Sequence, residues 1–263
     1  MSPSSARARP LKGEASKVYK LFKSGDDGNF KVAMSLIDTV LDGLEVLLDD
    51  IHVTNDGQIK SGKRFEGNEK NQHHVNALMM ALLASSPREQ AKDLRNKIKI
   101  IKITTASIPT LSDFPNLEEV NLYIGVESVI DNLHAFGSTH TLKHLSLLSQ
   151  AVPFNSGKKS AQLKSLKGLD APNLISLTAT GLKLQDIDGL EHCSKLESLT
   201  LQRNQELAHI DAVSEIAPSL MNVNLAGSLA IESLKPLQKA TNLESLSISF
   251  LEKITDLSAL KDC

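Results

Sequence analysis

The sequence predicts an α/β protein in two parts, a small all-α domain followed by a solenoid of parallel β-strands. Three observations lead there. Hydrophobic residues make up 41% of the 263, yet only 3% are aromatic and Trp is absent, so the core is built from aliphatic side chains. Apolar residues recur at helical spacing as far as about residue 84, and from about residue 94 the pattern becomes a recurring L-x-x-L-x-L. The length exceeds the roughly 100–200 residues of one ordinary domain, which suits either two domains or an elongated array.

Residues 1–13, rich in Ser, Pro, Arg and Ala without periodicity, read as a disordered tail. A helical domain is expected over 14–93. Val18, Leu21 and Phe22 mark one helical face, and Ser24-Gly25 with Asp26-Asp27-Gly28 ends that helix in a turn. Val32, Leu36, Ile37 and Val40 mark a second helix, and Leu44, Val46, Leu47 and Leu48 a third. Asn55-Asp56-Gly57 and Ser61-Gly62 read as a polar connection. A further helix runs from about Gln72 to Ala84 on Val75, Leu78, Met79, Leu82 and Leu83, closed by Ser85-Ser86-Pro87.

The region 94–263 holds seven copies of L-x-x-L-x-L, each alternating at its end as a short strand does. They are Ile98/Ile101/Ile103, Leu117/Val120/Leu122, Leu142/Leu145/Leu147, Leu174/Leu177/Ala179, Leu196/Leu199/Leu201, Leu220/Val223/Leu225 and Leu243/Leu246/Ile248. First positions are separated by 19, 25, 32, 22, 24 and 23 residues, and the longest gap carries the polar insertion 153–159. Between strands a second theme returns as Ile187-Asp188-Gly189-Leu190, Leu234-Lys235-Pro236-Leu237 and Leu257-Ser258-Ala259-Leu260. The last of these starts a repeat that stops before its strand. The array therefore reads as incomplete at the C-terminus, with self-association through that open edge as one expectation.

This arrangement resembles the bacterial leucine-rich-repeat proteins of the internalin-like type, where I-x-D-I-x-G-L leads to N-L-x-x-L-x-L. The likeness is clearest in Leu184-Gln185-Asp186-Ile187-Asp188-Gly189-Leu190 followed by Lys195-Leu196-Glu197-Ser198-Leu199-Thr200-Leu201. It covers 94–263 and implies a leucine-rich-repeat solenoid with its strands on the concave face. The leading helices are similar to the helical leader before such repeats in bacterial proteins. In the family an asparagine stands eight residues after the first leucine, and here only Asn204 does. Gly125, Gln150, Leu182, Ser228 and Leu251 occupy that place in other repeats, so irregular turns are expected.

Charge and cysteine content narrow the function. Lys+Arg 29 against Asp+Glu 31 leaves a net charge of −2, and splitting the chain at residue 93 polarises neither part, so nucleic acid is not expected as a partner. Cys193 and Cys263 alone make no disulfide framework or metal site. With no secretory h-region after Arg7 and Arg9 and no apolar run of about 18 residues, the expectation is a cytoplasmic protein without a membrane partner.

No chemistry-bearing motif stands up to its context. Residues 57–64 satisfy G-x-x-x-x-G-K, but Arg64 replaces the Ser or Thr that a P-loop needs for magnesium, and no strand leads in from a sheet; a solvated loop is expected. The histidine pairs His73-His74 and His140/His144, and His192-Cys193, lack converging metal-ligand spacing. No Ser-His-Asp or G-x-S-x-G arrangement can be assembled. The reading is no enzyme, no cofactor and no metal.

What remains is the set of side chains between the apolar positions, which alternation turns away from the core. Of these 21 positions 14 are Ser, Thr, Asn or Gln, and only Lys102, Glu119 and His144 can carry charge. Such residues suit any solvated sheet. They also suit a hydrogen-bonding platform, which makes a protein-binding scaffold the leading function, with candidate contacts at Tyr123, His144, Thr178, Thr200, Gln202, Asn222 and Asn224. The alternatives are a regulatory or effector protein whose helical part has its own activity, and a structural fragment with no autonomous partner.

Overall fold

A computed structural model describes residues 9–39, 43–65, 72–85, 89–105, 110–125, 130–149 and 162–263. The tail before residue 9, Val40, residues 66–70, Pro87 and residues 150–159, on which expectations were placed, lie outside these. The chain divides into two compact units, Met1–Lys99 and Ile100–Cys263.

In the first unit, helix α1 (Gly13–Lys23) buries Ala15, Val18 and Phe22. Helix α2 (Asp27–Thr39) is capped by Asp26, whose Oδ1 accepts the Asn29 N–H at 2.8 Å and so satisfies a first-turn donor. Its buried face is Ala33 and Ile37, while Val32, expected inside, is 49% exposed. Phe30, two residues before Val32, stacks on His74 with ring centroids 3.9 Å apart. A single turn α3 (Glu45–Leu48) leads to a feature the all-α expectation excluded, an antiparallel hairpin of β1 (Ile51–Val53) and β2 (Ile59–Ser61). Each strand is three residues long, too short to show alternation, but Ile51, Val53 and Ile59 are the β-branched residues a strand favours. Gly57, at φ +84°, closes the turn, and its carbonyl accepts the Lys99 N–H at 2.9 Å.

The segment read as a solvated loop is therefore partly strand. Arg64, just past it, points inward: its guanidinium sits 2.9 Å from the Asp50 carboxylate and donates to the Val46 carbonyl at 3.0 Å. Helix α4 (Gln72–Ser85) buries Val75, Leu78, Met79, Leu82 and Leu83 together with His74, Asn76 and Met80, so it is covered almost all round. Helix α5 (Glu89–Lys97) buries only Ala91 and is otherwise polar, which hides it from an apolar-periodicity reading. The expected boundary at residue 94 falls inside it.

The second unit is a seven-stranded parallel sheet in strict sequence order: β3 (Ile100–Thr105), β4 (Glu119–Ile124), β5 (His144–Ser149), β6 (Ser176–Thr180), β7 (Ser198–Thr200), β8 (Asn222–Asn224) and β9 (Ser245–Ser247). The register aligns the seven apolar triplets, Leu145 on Leu177, Leu199 on Val223, Val223 on Leu246. Between strands apolar residues return every third place. Leu184, Ile187, Leu190 and Cys193 precede β7, and Ile231, Leu234, Leu237 and Ala240 precede β9, all buried. The recurring second theme forms 3-10 turns at Leu190–His192, Lys235–Leu237 and Ser258–Leu260. Cys193 occupies a slot three residues before the first leucine that holds Ala171, Ala217 and Ala240 in other coils, which explains a small, fully buried side chain there.

The turns after the strands correct one expectation. In the last four coils the seventh residue after the first leucine is left-handed every time: Gly181 at φ +69°, Arg203 at +58°, Gly227 at +75° and Phe250 at +64°. Three of their N–H groups donate to the next coil, Gly181 to Gln202, Arg203 to Ala226 and Gly227 to Ser249, at 2.9–3.0 Å. These four turns share one form because the bond is made by the backbone and does not require an asparagine, whereas in the first three coils the same offset, at Thr105, Ile124 and Ser149, still belongs to the strand. In the final coil Leu243, Leu246 and Ile248 are only half-buried and Leu257 is 52% exposed.

Candidate interaction surface

Parallel register sorts the outward-facing side chains of β3–β9 into rows that run across the strands. One row reads Glu119, His144, Ser176, Ser198, Asn222 and Ser245. A second reads Lys102, Asn121, Ser146, Thr178, Thr200, Asn224 and Ser247. A third begins Thr104, Tyr123, Leu148 and Thr180. Strand neighbours stand about 4.8 Å apart, so from β6 to β9 the first two rows are continuous strips of short hydroxyl and amide groups.

The expected contacts all belong to these strips or to their continuation at Gln202. Tyr123 is 43% exposed, His144 and Asn222 are exposed, and Thr178, Thr200, Gln202 and Asn224 are half-buried. Thr178, Thr200 and Asn224 are direct neighbours in register. Part of their hydrogen-bonding capacity is already used: the Asn224 side-chain oxygen accepts the Ala226 N–H at 3.0 Å. Gln202 lends its backbone carbonyl to Gly181 and keeps its side chain for other partners.

Sequence spacing missed the interactions at the β3–β6 end. The Glu119 carboxylate accepts from the Lys102 ammonium at 3.1 Å and from the Asn121 amide at 2.7 Å. Burial pushes its carboxyl up, but Asn121 and Lys102 more than offset this and hold it below the ordinary glutamate range. His144 Nδ1 lies 2.8 Å from the Ser176 Oγ. A histidine and a serine in contact, with a carboxylate in register beside them, raise the question of nucleophilic catalysis. Glu119 is held by Lys102, and the backbone N–H groups of His144 and Ser176 donate to the Glu118 and Lys143 carbonyls, so none of these three is poised for that role in the structure. Only knowledge of which strands are adjacent reveals either pair, since the partners lie 17 and 32 residues apart.

Two open grooves lie elsewhere. One of about 960 Å³ is lined by His209, Asp211, Ser214, Glu232, Lys235, Lys239 and Asp262. The other, about 680 Å³, runs along the strand starts past Ile175, Lys195, Glu197, Met221 and Leu243. Neither contains an expected contact residue. Among the described residues no group of three or more His, Cys, Asp or Glu converges as a metal site, and no helix is long and apolar enough to cross a membrane.

No family model matches the chain. Among solved structures, an internalin from Listeria monocytogenes is similar to it at 19% identity, covering 72% of this chain and 72% of that one, with a TM-score of 0.34.

Proposed function

We propose that the chain is a leucine-rich-repeat scaffold that binds another protein through the exposed face of its parallel sheet, and that its role is binding and not catalysis. The observation that carries this reading is the register itself. Strands β6 to β9 bring short hydroxyl and amide side chains into two uninterrupted rows, and Tyr123 on β4 adds an exposed amphipathic ring to the same face. Charge on the face is internally neutralised, since Lys102 and Glu119 pair with each other. A partner held there would bind with little salt dependence, unlike an electrostatically steered complex.

The test takes the partner recovered on the full chain and measures its affinity by calorimetry at two salt concentrations. Tyr123→Ala should weaken binding by about 1–3 kcal/mol, the range for an aromatic anchor, while Ser245→Ala, at the far end, should change it little. Binding that survives combined Tyr123→Ala, Thr200→Arg and Asn222→Arg substitutions in a folded protein refutes the sheet-face reading and moves attention to the first unit.

A further inference from the structure

The left-handed residue that follows the strand in each of the last four coils is glycine in two of them, Gly181 and Gly227, and Arg203 and Phe250 in the others. A residue with a Cβ is strained in this region and glycine is not. The backbone task of the position, donation to the next coil's carbonyl, is performed at 2.9–3.0 Å by Gly181, Arg203 and Gly227 alike. The turn therefore gains nothing from a side chain, and two coils accept strain to display one.

Both displayed groups face solvent. Phe250 is 76% exposed, more than any other large hydrophobic among the described residues. Arg203 is exposed, and its guanidinium makes no ion pair or side-chain hydrogen bond among them. Arg203 lies in coil five with neighbouring coils on both sides, so its strain is not a property of the end of the array. Between the two stands Gly227, which has no side chain to separate them, and the Arg203 Cγ lies 3.4 Å from where a Gly227 Cβ would be, so the arginine stem borders the open place that the glycine leaves on coil six.

We propose that Arg203 and Phe250 form a recognition rim at the carboxyl ends of the strands, and that it takes an extended peptide segment carrying a carboxylate and an aliphatic side chain two residues apart. This rests on the reading of the chain as a protein-binding scaffold and adds to it the chemistry of the bound segment. The carboxylate pairs with the unengaged guanidinium, which offers a planar two-pronged donor set, and the aliphatic group covers the Phe250 ring. The spacing follows from the geometry. Coils five and seven are two strand intervals apart, about 10 Å, with only the side-chain-free Gly227 between, and two long side chains can close the difference from the peptide's own spacing. Alternate residues of an extended peptide point the same way about 7 Å apart.

The experiment uses the full isotope-labelled chain and two synthetic probes, the capped peptides Ser-Asp-Ser-Leu-Ser and Ser-Asn-Ser-Leu-Ser, titrated to millimolar concentration and followed by NMR. The Asp peptide should shift the Arg203 Nε–H and the Phe250 ring resonances. Its affinity should fall at least about fivefold when Asn replaces Asp or when Arg203→Gly removes the guanidinium. In the same variants, Arg203→Gly and Phe250→Gly should each raise the thermal midpoint, because the strain is released. Absence of any rim shift with either peptide, or Gly variants no more stable than the parent, overturns the rim. Shifts confined to Tyr123, Thr200 and Asn222 and indifferent to the carboxylate also overturn it, while leaving the sheet-face reading intact.

Discussion

Removing the Asn204 amide should loosen coil five from coil four. Asn204 is fully buried; its Oδ1 accepts the Leu182 N–H at 3.0 Å and its Nδ2 donates to the Ala179 carbonyl at 2.8 Å. Its own N–H donates to Ser228 Oγ at 3.1 Å, and that hydroxyl donates to the Leu201 carbonyl at 2.6 Å. Asn204→Ala leaves a donor on Leu182 and an acceptor on Ala179 without partners, at positions 3% and 0% exposed, where water does not substitute. At about 1–3 kcal/mol for each of the two orphaned groups, the loss should be about 2–6 kcal/mol. Ser228→Ala should cost about half of that, and the double variant less than the sum, because the two side chains serve one network. Asn204→Asp discriminates further: burial raises the introduced carboxyl's pKa, so the variant should be least stable at neutral pH and regain stability as pH falls towards about 4. Urea unfolding by circular dichroism, with hydrogen exchange at the Leu182 amide, reads both effects. A loss below about 0.5 kcal/mol for Asn204→Ala, at unchanged denaturant slope, would refute the reasoning.

Gly189, at φ +109°, would bring a Cβ inside contact distance of the Leu166 carbonyl oxygen, so Gly189→Ala should destabilise by about 2–4 kcal/mol in the same urea assay. Gly181→Ala, whose nearest obstacle is the Ser149 Cβ at 3.5 Å, should cost only about 1–2 kcal/mol; equal losses would show that crowding is not the cause. The Cys193 thiol is pushed up to about 12 by burial, with Glu191 and Asp170 adding to it, so a disulfide reagent at pH 8 should label only exposed Cys263 until the protein unfolds. Two fast-reacting thiols in the folded protein would contradict this. Lys102→Ala should raise the Glu119 pKa in a carbon-detected NMR titration. Because that pKa is depressed in the fold, the carboxylate's contribution to stability is present above the unfolded value near 4.3 and is lost as pH falls through the folded one; an unmoved pKa in the variant would sink the assignment of Lys102 as partner.

The repeat region was largely legible because its signal is redundant. Seven triplets each state the same alternation, and a parallel sheet in sequence order follows once they are aligned. The rows of the candidate face were legible for the same reason, since register places Thr178 beside Thr200 as soon as Leu177 is placed beside Leu199. The first unit was less so. Three-residue strands such as Ile59–Ser61 are too short to show a period, and α5, with Ala91 as its buried residue, shows no apolar face. Val32 was placed inside because its spacing fits, whereas Ala33 and Ile37 take the buried side and leave it in solvent. The left-handed positions of Arg203 and Phe250 could not be foreseen from their own chemistry. A signal did exist: Gly181 and Gly227 stand at the same offset in their coils, and glycine at a fixed place in a repeat marks a backbone that others there must also adopt.

Each strand of the sheet is hydrogen-bonded only to the strands of the coils before and after it, so the second unit is in effect a one-dimensional lattice. A coil copied in place would meet the same two kinds of neighbour as its template, with the same small slot for Cys193 or Ala217 and the same carbonyl waiting for the left-handed residue's N–H. Duplication or deletion of one period of the gene therefore changes the length of the face in steps of about 4.8 Å without asking the core for a new packing solution. If the face binds as proposed, recombination alone would change the size of partner it can hold, while point substitutions in the polar rows would change which partner that is.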